Sequence, residues 1–173
     1  IFRDTAVGLL HAHGKGVLHC DLKPGNVLLD QDHKPRLADF GQSRLSHEQT
    51  PALGTLFYMA PEQAAADPHT DHRADIYAVG TLAYEMLTGE PPFSGPTPQA
   101  VMGKHMTEAP QPVATRRPAV SEVLQSLVMR CLEKKPEARF QSARAVAEAL
   151  RFLSIAREHT DDPIEIAGLL EEM

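Results

Sequence analysis

The sequence predicts a mainly α-helical domain with a few short β-strands near its start. Three observations carry this. Apolar residues recur with a helical period over residues 1–13, the apolar segment "ADIYAVGTLAYEMLTG" is too long for a strand, and three brief β-favouring runs lie between residues 17 and 38.

In residues 1–13, Phe2, Val7, Leu9 and Leu10 fall on one side, and Gly14 and Gly16 of "HGKG" break the pattern. The runs Val17–His19, Val27–Leu29 and Arg36–Ala38 read as strands, with "LKPGN" and "DQDHKP" as the turns between them. From Gly41 to about Pro61 no period is visible and Ser, Thr, Gly and Pro dominate, which predicts a long surface loop; loops of that length are usually functional or disordered. In "ADIYAVGTLAYEMLTG" the apolar residues Ile76, Val79, Leu82, Ala83, Met86 and Leu87 spread nearly all round, so a buried helix is expected, ended by Gly89 and Pro91–Pro92. Three further helices are expected around Gln99–Thr107, Ser121–Glu133 and Ser142–Arg157, with Ser142 as an N-cap and the Pro-rich "EAPQPVATRRP" as a connection. Residues 156–173 form an acidic tail, and no internal repeat is present.

Bulk properties narrow the function. The 173 residues, 42% hydrophobic, suffice for one domain with a real core. A net charge of −6 argues against generic nucleic-acid or anionic-membrane binding. No apolar run approaches the roughly 18 residues of a membrane span. Two cysteines, Cys20 and Cys131, are too few for a disulfide framework, so a reducing, cytoplasmic setting with both thiols free is expected. No signal-peptide pattern opens the chain, and Ile1 in place of Met leads us to expect that this is not the native N-terminus.

The stretch "HCDLKPGNVLLD" places an acid, an amine and an amide, Asp21, Lys23 and Asn26, within six positions, directly before an apolar run. A second acid, Asp39, closes the next strand. Two acids and an amide gathered by a small strand pair can hold Mg²⁺, which prefers hard oxygen ligands and shares its shell with substrate phosphates. A lysine beside Asp21 can offset phosphate charge. These are the parts phosphoryl transfer needs.

The same residues carry a family resemblance. "HCDLKPGN" resembles the catalytic loop of the eukaryotic-type protein kinases, and "DFG" at Asp39–Gly41 resembles their metal-binding triplet. "GTLFYMAPEQ", with "APE" at Ala60–Glu62, is similar to the end of their activation loop. "DIYAVG" at Asp75–Gly80 and "KPEARF" at Lys135–Phe140 resemble their buried helix and late arginine motif. The five motifs stand in the family's order and cover about residues 1–155, with 41–62 as the activation segment. In style the sequence most resembles bacterial serine/threonine kinases.

The resemblance implies a kinase-like C-terminal lobe, ATP and Mg²⁺ as cofactors, and a protein substrate with a serine or threonine acceptor. It implies that Asp21 accepts the proton of the acceptor hydroxyl and that Lys23 stabilises the γ-phosphoryl of ATP. Asn26 and Asp39 are implied as Mg²⁺ ligands, Leu28 as the floor beneath the adenine, and Thr55 as part of the acceptor pocket. Glu62 and Arg139 are implied as a buried ion pair, Asp75 as a holder of catalytic-loop amides, and His19 as a buried organiser of that loop.

Two departures from the family pattern matter. Cys20 stands where the family usually has an arginine that meets an activation-loop phosphate, and a thiol cannot pair with that charge. Activity that does not need phosphorylation of the activation loop is therefore expected. Nothing in the sequence resembles the glycine-rich phosphate loop, the strand lysine or the helix glutamate, so a lobe fragment, inactive alone, is expected.

Other readings compete with this one. The absent elements and Cys20 favour a pseudokinase-like scaffold; Asp21, Lys23, Asn26 and Asp39 together oppose it. A small-molecule kinase fits poorly with the long activation loop. His11, His13, His19 and Cys20 lack a zinc-finger spacing. His69 and His72 are expected as solvated loop residues, Phe40 as a core residue, and Glu90 and Glu133 as solvated charge.

Overall fold

The structure, a computed structural model, describes residues 1–40 and 53–159. Helix α1 spans Phe2–His13 and leads through a coil to strands β1 (Val27–Leu29) and β2 (Pro35–Leu37). Short helices α2 (Leu53–Leu56) and α3 (Pro61–Ala64) precede α4 (Arg73–Thr88), α5 (Pro98–Thr107), α6 (Val113–Arg116), α7 (Glu122–Cys131) and α8 (Ala143–His159). Among the described residues the architecture is a helical body with one two-stranded sheet, the fold class the sequence predicts. None of the described helices is long and apolar enough to cross a membrane.

Helix α4 is the centre because its sequence has no polar stripe. Ile76, Val79 and Leu82 pack with α1, α7 and α8, while Tyr77, Ala83 and Tyr84 pack with Val113, Val128 and Leu132. A helix apolar on every side is stable only when covered on every side. At Gly80 the neighbouring α7 comes so close that a Cβ would meet the Cys131 Cβ at 2.6 Å. Gly89 ends α4 in the left-handed conformation, φ 85°, which glycine adopts without a Cβ clash. Cys131 is fully buried, which pushes its thiol up to about 12 and leaves it unreactive.

The last helix starts at its expected cap, Ser142, and Ser121 caps α7 in the same way. The Ser121 and Ser142 hydroxyls accept from the Leu124 and Ala145 amides at 3.3 and 3.1 Å. In α1 the buried face is Thr5, Ala6, Leu9 and Ala12, while Val7 is half exposed. The apolar count had placed Val7 on that face; the small residues fit between packed helices and Val7 falls outside.

Three expectations need correction. Val17–His19 forms no strand, because its amides go elsewhere: Val17 donates to the Ala12 carbonyl at 3.0 Å and His19 to the Asp75 carboxylate at 2.9 Å. The stretch 53–61 is not a surface loop. Leu56, Tyr58 and Ala60 are buried and dock the segment into the core. The connection "EAPQPVATRRP" contains helix α6, whose Ala114 amide donates to Gln125 Oε1 at 2.6 Å. Residues 41–52, with Gly41, Ser43, Ser46 and Thr50, and residues 160–173 of the acidic tail lie outside the described residues.

Candidate active site

The site is built on the coil between α1 and β1 and held from below by α4. The Asp75 carboxylate, 1% exposed, accepts from the His19 amide at 2.9 Å and the Cys20 amide at 2.7 Å. Its Oδ2 also meets His13 Nε2 at 2.7 Å. Cys20 has φ 57°, a conformation that costs a non-glycine residue roughly 1–3 kcal/mol. Three bonds hold it there: the two amides on Asp75, and Gln63 Nε2 donating to the Cys20 carbonyl at 3.1 Å. Gln63 also accepts from the Ala60 amide at 3.0 Å, so one side chain joins the start of α3 to the coil.

This clamp turns the next residues toward one another. Lys23 Nζ donates to Asp21 Oδ2 at 2.8 Å and to Thr55 Oγ1 at 3.0 Å. The Asn26 amide nitrogen donates to the Asp21 carbonyl at 2.7 Å and to Asp21 Oδ2 at 3.1 Å. Asp21 therefore has one oxygen tied by an amine and an amide, while its Oδ1 is buried with no hydrogen-bond partner. An open carboxylate oxygen, next to a fixed cation, is an acceptor awaiting a proton donor or a cation.

Asp39 arrives by way of the sheet. β1 and β2 pair antiparallel, Val27 opposite Leu37, and the Ala38 amide extends the ladder to the Asn26 carbonyl at 2.9 Å. Asp39 follows directly, exposed and at φ 57°, and makes no hydrogen bond to Asp21, Lys23 or Asn26. Asn26 directs its N–H groups at Asp21, which leaves the carbonyl oxygen as its remaining hard donor atom. Among the described residues no group of three or more His, Cys, Asp and Glu side chains could hold a metal. The donor set at hand, one amide oxygen and one carboxylate, fits a Mg²⁺ that takes its other ligands from phosphate and water, and does not fit a zinc or calcium cage.

Other residues fall around this centre. His19 is fully buried, with Nδ1 accepting from the Asp21 amide at 3.4 Å and its ring 4.7 Å from that of Phe40. Phe40 is 41% exposed, contrary to the core reading: β2 has ended, and the His19 ring lies tilted beside it. Leu28 is half exposed on β1 and offers open apolar surface. Glu62 and Arg139 meet in a bidentate pair at 2.6 and 2.7 Å below α3, with the Arg139 side chain 0% exposed.

Sequence reasoning missed three parts. His13 had no visible task, yet it carries Asp75. Gln63 follows a recognised motif, but nothing in its type signals a bond to residue 20. His72 is not a solvated loop residue: its Nε2 meets the Gln141 carbonyl at 2.9 Å and its ring lies 5.5 Å from that of His13. Only sequence separations of 43 to 69 residues, invisible to a periodicity argument, bring these pairs together.

Comparison with known proteins agrees with this geometry. A family model described as "protein kinase domain" matches residues 1–150. The serine/threonine-protein kinase PknB of Mycobacterium tuberculosis is 35% identical over 179 residues, covering 99% of this chain and 28% of that protein. A probable serine/threonine-protein kinase of Clostridium acetobutylicum is 33% identical over 96% of this chain and 26% of its own length. The serine/threonine-protein kinase pkn2 of Myxococcus xanthus is 39% identical over 87% of this chain and 20% of its own. The chain thus spans less than a third of the relatives it matches. On the extent of the family match and the identity to these relatives, the chain belongs to the protein kinase domain family.

Proposed function

We propose that residues 1–155 supply part of the catalytic domain of a cytoplasmic serine/threonine protein kinase that uses ATP and Mg²⁺, with 41–62 as its activation segment and 156–173 as an acidic tail. The observation that carries this reading is Asp21 Oδ1, buried and open beside Lys23 and Thr55. The names of the three relatives, all serine/threonine-protein kinases, support it.

In this reading Asp21 Oδ1 takes the proton of a serine or threonine hydroxyl on a protein substrate. Lys23, fixed between Asp21 Oδ2 and Thr55 Oγ1, sets a positive charge where negative charge gathers on the transferring phosphoryl. Thr55 thereby links the acceptor pocket to the catalytic coil. Leu28 supplies apolar surface for the adenine. When bound, Mg²⁺ neutralises phosphate charge, and Asn26 and Asp39 are the residues that would hold it. The sequence contains no glycine-rich phosphate loop or strand lysine, so these groups would come from residues beyond the 173, and the chain alone is expected to transfer little.

The test is a thermal shift of the full-length gene product with Mg²⁺–ATP, followed by phosphoryl transfer to serine and threonine peptides. A raised Tm with transfer is expected. Neither a shift nor transfer would leave a scaffold as the function.

Cys20 bears on regulation. A thiol cannot hold a phosphate, and the strained peptide at residue 20 is already fixed by Asp75 and Gln63. We expect Ser46→Ala and Thr50→Ala each to keep the transfer rate within about threefold. Silencing by alanine with recovery by an acidic residue would refute this.

A further inference from the structure

The coil on the two sides of Cys20 is held in different ways. The His19 and Cys20 amides donate to Asp75 at 2.9 and 2.7 Å, which fixes the two peptides that lead into residue 20. The peptide that leads out of it carries Asp21. Its N–H reaches His19 Nδ1 at 3.4 Å, long for a hydrogen bond. Its carbonyl, that of Cys20, accepts from Gln63 Nε2 at 3.1 Å. Lys23 and Asn26 also bind Asp21, but from the same turn of the chain. Bonds within a turn fix its shape; a bond to another element fixes where the turn sits.

Gln63 is the third residue of α3 and is half-buried. Its Oε1 accepts from the Ala60 amide at 3.0 Å, closing the first turn of α3, while its Nε2 reaches across 43 positions to Cys20. The Ala60 amide can only donate and the Cys20 carbonyl can only accept, so one orientation of the side-chain amide serves both. A glutamate caps a helix at this position as well as a glutamine does, but at neutral pH it has no proton to give the coil. Lysine and arginine have no acceptor for Ala60; methionine has the length and neither function. Of the two bonds, the one to Cys20 is the one that a helix cap does not need.

The docked segment meets the coil at a second point, where Lys23 donates to Thr55 Oγ1 at 3.0 Å. That contact ends on the tip of a long side chain, whereas the Gln63 contact ends on main chain. Cys20 sits at φ 57°, a conformation a non-glycine residue keeps only when its surroundings hold it there. Releasing its carbonyl lets the peptide leave that conformation, and Asp21 is the next residue. We propose that Gln63 is a positioning residue for Asp21: by donating to the Cys20 carbonyl it locks the catalytic coil to the docked segment and holds Oδ1 in place for the acceptor hydroxyl. This deepens the kinase reading and rests on it.

The test uses the full-length gene product with Gln63→Glu and Gln63→Met. The first keeps the acceptor for Ala60 and removes the donor to Cys20; the second removes both without adding a charge. Each should lower kcat for a serine or threonine peptide at least about tenfold, with the KM for peptide and for ATP within about twofold. Hydrogen exchange gives a readout independent of activity: the His19 and Cys20 amides should exchange faster in both variants while α8 does not change. A normal kcat in Gln63→Glu would make Gln63 an ordinary helix cap and would overturn the proposal. A raised peptide KM at unchanged kcat would overturn it too, because the effect would then lie in the acceptor segment and not at Asp21. Unchanged exchange at Cys20, or uniformly faster exchange throughout the protein, would do the same. If the wild type transfers no phosphoryl but exchange at His19 and Cys20 responds, the kinase reading falls while the tie between α3 and the coil stands.

Discussion

Asp21→Asn in the full-length protein is expected to lower phosphoryl transfer at least about 10²-fold while leaving the fold and the KM for ATP nearly unchanged. The reason lies in the unequal surroundings of the two carboxylate oxygens. Oδ2 receives Lys23 at 2.8 Å and Asn26 at 3.1 Å, and both are donors. An asparagine must therefore turn its carbonyl oxygen to that side. Its NH₂ group then occupies the place of Oδ1, the buried oxygen with no partner. Where the wild type offers an acceptor to the substrate hydroxyl, the variant offers a donor. The substitution conserves shape and inverts the polarity at the one atom where a base is needed. Steady-state kinetics on a serine or threonine peptide, with circular dichroism to check the fold, measure this; a rate within tenfold of wild type would remove Asp21 as the base.

The second large effect concerns stability. Glu62→Gln strands the guanidinium of Arg139 in the interior, at a cost of about 3–5 kcal/mol. Arg139 has no exposed surface to relax toward, and Glu62 is only 9% exposed. For a domain of this size that cost lowers Tm by roughly 10 °C. Arg139 also donates to the carbonyls of Glu133 at 2.7 Å, Arg73 at 2.9 Å and Lys134 at 2.9 Å. Arg139→Met therefore leaves three carbonyls short of a donor as well as breaking the pair. Combining the two substitutions removes the stranded charge but not the orphaned carbonyls, so the double variant should lose less than the sum of the singles without returning to wild type. Urea unfolding of all three variants measures the coupling. A fall in Tm below about 2 °C for Glu62→Gln would show that the pair is solvated and does little for the fold.

The long helices were legible because each satisfies its backbone within itself and announces its buried face by period. α4, α5, α7 and α8 begin and end within a few residues of the sequence expectation, and the serine caps and Gly89 act as their residue types suggest. The short elements were not legible. The tripeptide Val17–His19 has β-favouring residues, yet its Val17 amide turns back to Ala12 and its His19 amide goes to Asp75, which lies more than 50 positions away. Leu56, Tyr58 and Ala60 sit in a Ser/Thr/Gly/Pro-rich stretch that reads as loop, and only the core they enter gives them their role. Local propensity cannot foresee a partner that the chain has not yet reached.

For the site the division is similar. Residue types and order alone single out Asp21, Lys23, Asn26 and Asp39 as candidates for phosphate and a hard cation, since that selection depends on which groups lie on neighbouring turns. Tertiary structure alone decided which oxygen of Asp21 is open and that His13 and Gln63 support the coil. Those facts depend on where α3 and α4 come to rest against the coil. Packing of distant helices is a balance of many small contacts, written in no single stretch of the chain.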